Sequence, residues 1–265
     1  MFLTKVTFVT KKRQTYDINQ ALAYCNQLID AWRYNGQIIG REIPITYQFT
    51  ADDLLTFVIN VNCPEKTSLN AIHNSTLVTE TLDNLQSLGI TLDHYEIYAS
   101  DLNSDEAIST LSKTTELVLY TNYLKSSSPV CELTSLAPVP LYHLCYDKPQ
   151  LGIDCIKWEE NWQACDQLQM NGHCLVAESL TQISELTSPL AKQGYALRQQ
   201  LEAQLQRPVY YYLYRVNGQD YQTEIERCCP RCGQEWFLHN HPINIFDFKC
   251  DDCRLVSNIA WELQE

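Results

Sequence analysis

Through the first hundred positions, apolar residues alternate with polar ones, recur at helical spacing, and then alternate again. Val6-Thr-Phe-Val-Thr10 predicts a strand. Asp17 stands where a helix cap is needed, with Gln20 three residues on, and Ile18, Ala21, Leu22, Cys25, Leu28, Ile29 and Trp32 form one apolar face that Asn35-Gly36 ends. Ile43, Ile45, Tyr47 and Phe49 alternate with polar neighbours, as do Leu55, Phe57, Ile59, Val61 and Cys63, with Ala51-Asp52-Asp53 as the turn between two strands. A second helix starts at Asn74 or Ser75, turns Leu77, Val78, Leu82, Leu85 and Leu88 inward, and stops at Gly89 before a last strand over Tyr95–Ala99. The order β-α-β-β-α-β predicts an α+β, ferredoxin-like unit with two helices on one face of an antiparallel sheet. Tyr47, Phe49 and Phe57 fall on the helix-covered face, which leaves Thr46, Gln48, Thr56, Val58, Asn60, Glu96 and Tyr98 on the open one. One tyrosine is a poor platform for stacking RNA bases.

Past residue 105 the pattern becomes mixed. Glu116–Tyr123 reads as a strand, Ser126–Pro129 as a loop, and Pro138–His143 as extended because two prolines exclude a helix. From Trp158 the chain turns helical, with Trp158, Trp162, Cys165 and Leu168 on one face and Asn171-Gly172 at its end. Ser188-Pro189 caps another helix carrying Leu190, Gly194, Leu197, Leu201 and Leu205. Val209–Val216, rich in tyrosine, predicts a strand, and Asn217-Gly218 a hairpin turn into a return strand over Gln219–Ile225. The expected domains are therefore 1–105 (ferredoxin-like), 106–223 (mixed strand and helix, ending in the tyrosine-rich hairpin) and 224–265.

The last segment carries the chemistry. Cys229-Pro-Arg-Cys232-Gly233 and Lys249-Cys250-Asp-Asp-Cys253 are two Cys-x-x-Cys pairs at the spacing of a zinc ribbon, in which Cys229, Cys232, Cys250 and Cys253 bind one structural Zn²⁺ tetrahedrally. Pro230 fixes φ in the first turn, and Gly233 tolerates the positive φ needed where the chain leaves the metal. Cys228 directly precedes Cys229 and would give a looser turn as ligand, so Cys229 is preferred. A closed Cys₄ shell leaves no open position for catalysis. In the middle of the chain, Cys131, Cys145, Cys155, Cys165 and Cys174, even with His143 or His173, contain no Cys-x-x-Cys pair and read as buried small hydrophobes. His239 and His241 read as surface residues.

Charge narrows what this segment can meet. The net charge of −13 is spread along the chain, and residues 224–265 alone hold 4 basic against 8 acidic residues. Four thiolates around Zn²⁺ add about two further negative charges. Binding phosphate backbones needs a local positive patch. The candidates are Arg231, Lys249 and Arg254 beside the knuckles, with Trp236 as an aromatic contact, and the run Lys11-Lys12-Arg13. No apolar tract reaches membrane-spanning length, and the start of the chain lacks the order of a secretory signal. Twelve cysteines in a chain this long, four of them better used by metal, fit a reducing, cytoplasmic compartment.

The stretches YDINQALAYCNQLIDAWRYNGQIIGREIP, WQACDQLQM at 162–170, YYYLYR at 210–215, and CPRCG with IFDFKCDDCRLVSN resemble, over nearly the whole chain, a bacterial family described as zinc-ribbon-containing and nucleic-acid-binding, of unknown function. The resemblance implies zinc on Cys229, Cys232, Cys250 and Cys253 and contact with nucleic acid, but no substrate or catalytic residue. The first expectation is thus a non-enzymatic protein whose ribbon contacts RNA, DNA or a nucleoprotein complex. The alternative is an adaptor that binds another protein through the ribbon and the adjoining hairpin. An enzyme ranks third, because there is no Gly-rich phosphate loop, nucleophile elbow or His-x-Glu signature beside a Cys pair.

Overall fold

A computed structural model of the protein describes residues 1–10, 17–50, 54–239 and 242–263. The basic run Lys11-Lys12-Arg13, the turn Ala51-Asp52-Asp53 and His241 lie outside the described residues. The chain divides into two compact units: residues 1–109 with 126–128 and 140–153, and residues 110–125 with 129–139 and 154–265. No described helix is long and apolar enough to cross a membrane.

In the first unit, β1 (Phe2–Thr10), α1 (Ile18–Asn35), β2 (Ile45–Phe49), β3 (Leu55–Cys63), α2 (Thr76–Ser87) and β4 (Ile90–Ser100) follow one another in the chain, and the short α3 (Leu141–Leu144) joins them. The strands lie in the order β2-β3-β1-β4, antiparallel at every junction. Local chemistry sets the helix ends. The Asp17 carboxylate accepts the amides of Asn19 and Gln20, Gly36 closes α1 at φ +76°, and the Ser75 hydroxyl accepts the Val78 amide at the start of α2. Val6, Phe8, Leu28, Trp32, Phe57, Ile59 and Val78 form the core between sheet and helices. The apolar face of β2 departs from expectation, because Tyr47 and Phe49 are 49% and 63% exposed. β2 is an edge strand with a neighbour on one side alone, and its aromatic residues stay open to solvent even though Phe57 beside Tyr47 is fully buried.

The second unit is built on β5 (Leu117–Leu119), β6 (Val130–Glu132), β7 (Val209–Leu213), β8 (Phe248–Cys250) and β9 (Leu255–Ser257), in the order β6-β5-β7-β9-β8. β5, β7 and β9 run parallel, flanked by antiparallel β6 and β8. The long helix α4 (Pro149–Asn171) brings Trp158 and Trp162 against the tyrosines of β7, and α5 (Val176–Ser184) leads to α6 (Pro189–Leu205), which Ser188 caps. Tyr210, Tyr211 and Tyr212 are buried because β7 is the central strand, and a parallel strand buried on both faces is apolar throughout. α6 approaches at Gly194, where an added Cβ would lie 2.4 Å from both Trp158 Nε1 and Tyr211 Cε2.

The expected return strand over Gln219–Ile225, and with it the tyrosine-rich hairpin, does not form. Residues Tyr221–Ile225 form a short helix, α7, because the Asp220 carboxylate accepts the Thr223 amide and starts a helical turn. Gly218 is required for close approach and not for a type I′ turn: a Cβ there would lie 2.4 Å from Leu263 Cδ1 and 2.9 Å from Ala260 Cβ. β7 takes its partners from distant parts of the chain, β5 on one side and β9 on the other. β8 and β9 thus belong to the sheet of this unit, since β9 pairs directly with β7. The extended stretch read at Pro138–His143 also ends early. Pro140 supplies the N-cap of α3, a position where its missing N–H costs nothing.

Candidate metal centre

Two turns bring four sulfurs together. Cys229 and Cys232 lie on the turn after α7, and Cys250 and Cys253 on the turn between β8 and β9. The first turn is closed by the Gly233 amide donating to the Cys229 carbonyl at 2.9 Å and the Cys229 amide donating to the Gln234 carbonyl at 2.8 Å, with Gly233 at φ +72°. In the second, Arg254 takes the matching position after the last cysteine at φ +53°. The two knuckles therefore use the same left-handed exit, with glycine in one and a strained arginine in the other.

All four Sγ atoms lie within 4.8 Å of one another, and Cys232 Sγ is 3.7 Å from Cys250 Sγ. A tetrahedron of thiolates with metal–sulfur bonds of about 2.3 Å puts sulfurs about 3.8 Å apart, so the set fits one tetrahedral ion. Among the described residues no other group of His, Cys, Asp and Glu fits a metal ion. Cys228 is exposed and outside the group. Burial pushes the Cys250 thiol up to about 11 and the Cys253 thiol higher still, while the Gln234 amide favours the Cys232 thiolate and lowers its pKa.

The rest of the unit grips these knuckles. The Tyr195 hydroxyl on α6 donates to the Cys253 carbonyl at 2.8 Å and accepts from Arg198 at 2.7 Å. Arg231, within the first knuckle, places its guanidinium 4.4 Å from the centre of the same tyrosine ring. Lys249 forms ion pairs with Asp251 at 2.8 Å and Glu116 at 3.1 Å, and Arg254 pairs with Glu202 at 3.5 Å and reaches the Tyr210 hydroxyl at 3.3 Å. Burial acts against the Lys249 ammonium, but the hydrogen bonds it donates to Asp251, Tyr210 and Glu116 outweigh this and hold its pKa above the ordinary lysine value. Trp236 is 3% exposed, its indole N–H donating to the Arg227 carbonyl at 3.0 Å and its ring packed on Phe248.

Of the side chains expected to face a partner, Lys249 and Arg254 are internally paired and Trp236 belongs to the core. Arg231 remains on an exposed residue. Elsewhere in this unit, Tyr221, Pro242, Asn244, Ile245, Asp247, Ile259, Trp261 and Leu263 line an open groove of about 840 Å³, with Tyr221 53% and Trp261 39% exposed.

Two arrangements escape sequence reading because charge pattern alone does not tell a buried ion pair from solvated surface charges, and because some of their members, such as Glu65 and His143, are far apart in the chain. Glu224, almost fully buried, is clamped by Arg227 Nε at 2.8 Å and Arg215 Nη2 at 3.0 Å, and Arg227 continues to the Ser257 hydroxyl at 2.9 Å. The Arg227 guanidinium also covers the rings of Phe248 at 3.8 Å and Trp236 at 4.7 Å, so one arginine ties α7 to the aromatics between the knuckles. In the first unit, His143 Nε2 lies 2.7 Å from a Glu65 carboxylate oxygen that also accepts from the Tyr142 hydroxyl, with the His73 ring 4.6 Å from that of Tyr142. Burial raises the Glu65 pKa, but the hydrogen bonds from His143 and Tyr142 more than offset this and leave it low.

Three consecutive segments match domains of unknown function: residues 1–99 match DUF8589, 111–214 match DUF2310, and 218–263 match DUF8594. An uncharacterized protein of Haemophilus influenzae is 47% identical over 236 residues, covering 89% of this chain and 90% of that protein. A second uncharacterized protein of the same organism is 47% identical over 178 residues, covering 67% of this chain and 87% of its own. The chain belongs to the bacterial protein family that these Haemophilus influenzae relatives represent. No solved structure matches it.

Proposed function

We propose that Cys229, Cys232, Cys250 and Cys253 hold one structural Zn²⁺, and that the protein is a zinc-stabilised binding protein, with no catalysis at the metal, whose partner is a protein. Four thiolates favour Zn²⁺ over the hard cations and fill its tetrahedral shell. The observation that carries the choice of partner is the internal pairing of Lys249 with Glu116 and Asp251 and of Arg254 with Glu202, which removes cations from the surface that would meet phosphate. The groove with exposed Tyr221 and Trp261 suits apolar and aromatic side chains better than it suits a polyanion. For the first unit, the all-antiparallel order β2-β3-β1-β4 with its two crossing helices supports a ferredoxin-like assignment.

Direct contact with RNA or DNA is the second reading, favoured by Arg231, which is exposed on the first knuckle with its guanidinium against the Tyr195 ring. Filter binding at low salt separates the two. The protein-partner reading expects no retention of single- or double-stranded RNA or DNA by the zinc-loaded chain. Retention that weakens steeply with salt and is reduced in Arg231→Ala would establish nucleic acid instead.

A further inference from the structure

Away from the metal centre, the second unit holds a thiol paired with an amine. Cys131 is the middle residue of β6, fully buried and in register with Val118 of β5. Lys125 stands on the loop that joins these strands and folds back, so that its Nζ lies 2.9 Å from Cys131 Sγ. The loop is held there from two sides. Gln163 of α4 donates to the Lys125 carbonyl at 2.7 Å, and the Lys125 ammonium sits 5.0 Å from the centre of the Tyr120 ring. Burial acts against the ammonium, but the adjacent Cys131 sulfur, with Tyr120 and Glu159 beyond it, keeps the Lys125 pKa above the ordinary lysine value. An ammonium 2.9 Å from the sulfur favours the thiolate over the thiol. Burial has the opposite effect on the thiols of Cys25, Cys63 and Cys145, which are pushed up to about 12, 11 and 12.

We propose that Cys131 and Lys125 are a redox-sensitive modification site, at which hydrogen peroxide joins the two side chains in a reversible S–N cross-link. Only the thiolate attacks peroxide at a useful rate, and a sulfenic acid condenses with a nitrogen held beside it. In the first step the Cys131 thiolate displaces one oxygen from peroxide, giving a sulfenate and water; sulfur loses two electrons and the O–O bond is reduced. In the second, the Lys125 nitrogen forms a bond to sulfur as the S–O bond breaks, and two ammonium protons leave with that oxygen as a second water. The product is a neutral sulfenamide. Two equivalents of a low-molecular-weight thiol return the thiol and the amine and are themselves oxidised to a disulfide. Closing this link fastens the β5–β6 loop to its own strand, which makes the pair a latch on the sheet edge.

The test is peptide mass spectrometry of the full-length, zinc-loaded protein after brief hydrogen peroxide treatment, alkylation and trypsin. A single peptide running through Lys125 and Cys131 is expected, uncleaved after Lys125, not alkylated at Cys131, and lighter by about 2 Da than its reduced form. Dithiothreitol should restore both cleavage and alkylation. In Lys125→Arg, which keeps the cation but offers no amine, Cys131 should stop at sulfenic acid and be captured by dimedone. The proposal is overturned if Cys131 in the oxidised wild-type protein is still fully alkylated. It is overturned equally if Cys131 carries only added oxygen while trypsin cuts normally after Lys125. Should Lys125→Arg fail to fold, fragmentation of the wild-type peptide still decides, since it must place the missing hydrogens on Lys125 and Cys131 together.

Discussion

The hydroxyl of Tyr195 on α6 donates to the carbonyl of Cys253 at 2.8 Å, so a helix that precedes the first knuckle by some thirty positions grips the backbone of the second. Tyr195 is itself largely buried, and its ring lies under Arg231 of the first knuckle. Both cysteine turns thus rest on one side chain of α6. Replacing Tyr195 by Phe keeps the ring and leaves a buried carbonyl without this donor, at a cost of about 1–3 kcal/mol. The variant is expected to unfold at lower urea concentration and to release its metal to a chromogenic chelator faster than the wild-type protein.

Glu224 offers a sharper test of how the C-terminal segment is fastened. Its buried carboxylate faces two guanidiniums, and removing the negative charge leaves them to repel each other. Glu224→Gln should destabilise the protein by about 3 kcal/mol, as expected for one partner taken from a buried ion-pair group. A denaturation curve checks the magnitude, and Arg227→Met in the same background should recover part of the loss.

At Gly194 the reason for glycine is space. A methyl group there would stand 2.4 Å from an indole nitrogen and 2.4 Å from a tyrosine ring carbon, both on side chains packed in the core. Gly194→Ala gains helix propensity of about 1 kcal/mol and loses about 1–3 kcal/mol or more to overpacking. A net fall in thermal midpoint is expected, and a rise would show that α6 stands further from β7 and α4.

Metal uptake should release protons. Burial pushes Cys250 up to about 11 and Cys253 above that, so at neutral pH both thiols are protonated before metal binds, whereas bound sulfur is thiolate. Because metal competes with protons that are still fully bound at pH 7, apparent affinity rises with pH across the neutral range and falls on acidification. A weakly buffered, anaerobic titration of the metal-free protein with zinc, followed by a pH indicator, should report about two or more protons per ion.

The parts legible in the sequence were those set by local chemistry. Asp17, Ser75 and Ser188 cap helices where their position before an apolar stripe predicts, and the alternation in β1 and β3 marks the buried face. The two Cys-x-x-Cys turns are equally local, and their sulfurs do converge. What escaped was non-local. Asn217-Gly218 has the composition of a hairpin turn, yet β7 pairs with β5 and β9, whose residues lie far away in the chain. Likewise Lys249 and Arg254 look available in sequence because Glu116 and Glu202, their partners, lie in the distant β5 and α6 regions. Tyr47 and Phe49 follow a buried pattern, but pattern alone does not say that β2 is an edge strand.

The central claim is that four cysteines hold one structural zinc ion that secures β8 and β9. Elemental analysis combined with native mass spectrometry, on protein purified under reducing conditions without added metal, measures it most directly. One zinc per chain is expected in the wild-type protein. Cys232→Ser and Cys250→Ser should lose it and show a loosened C-terminal segment by hydrogen exchange, while Cys228→Ser should keep it. A wild-type chain that holds no zinc after zinc is supplied, or one that keeps full occupancy when Cys232 and Cys250 are both replaced, would contradict the account.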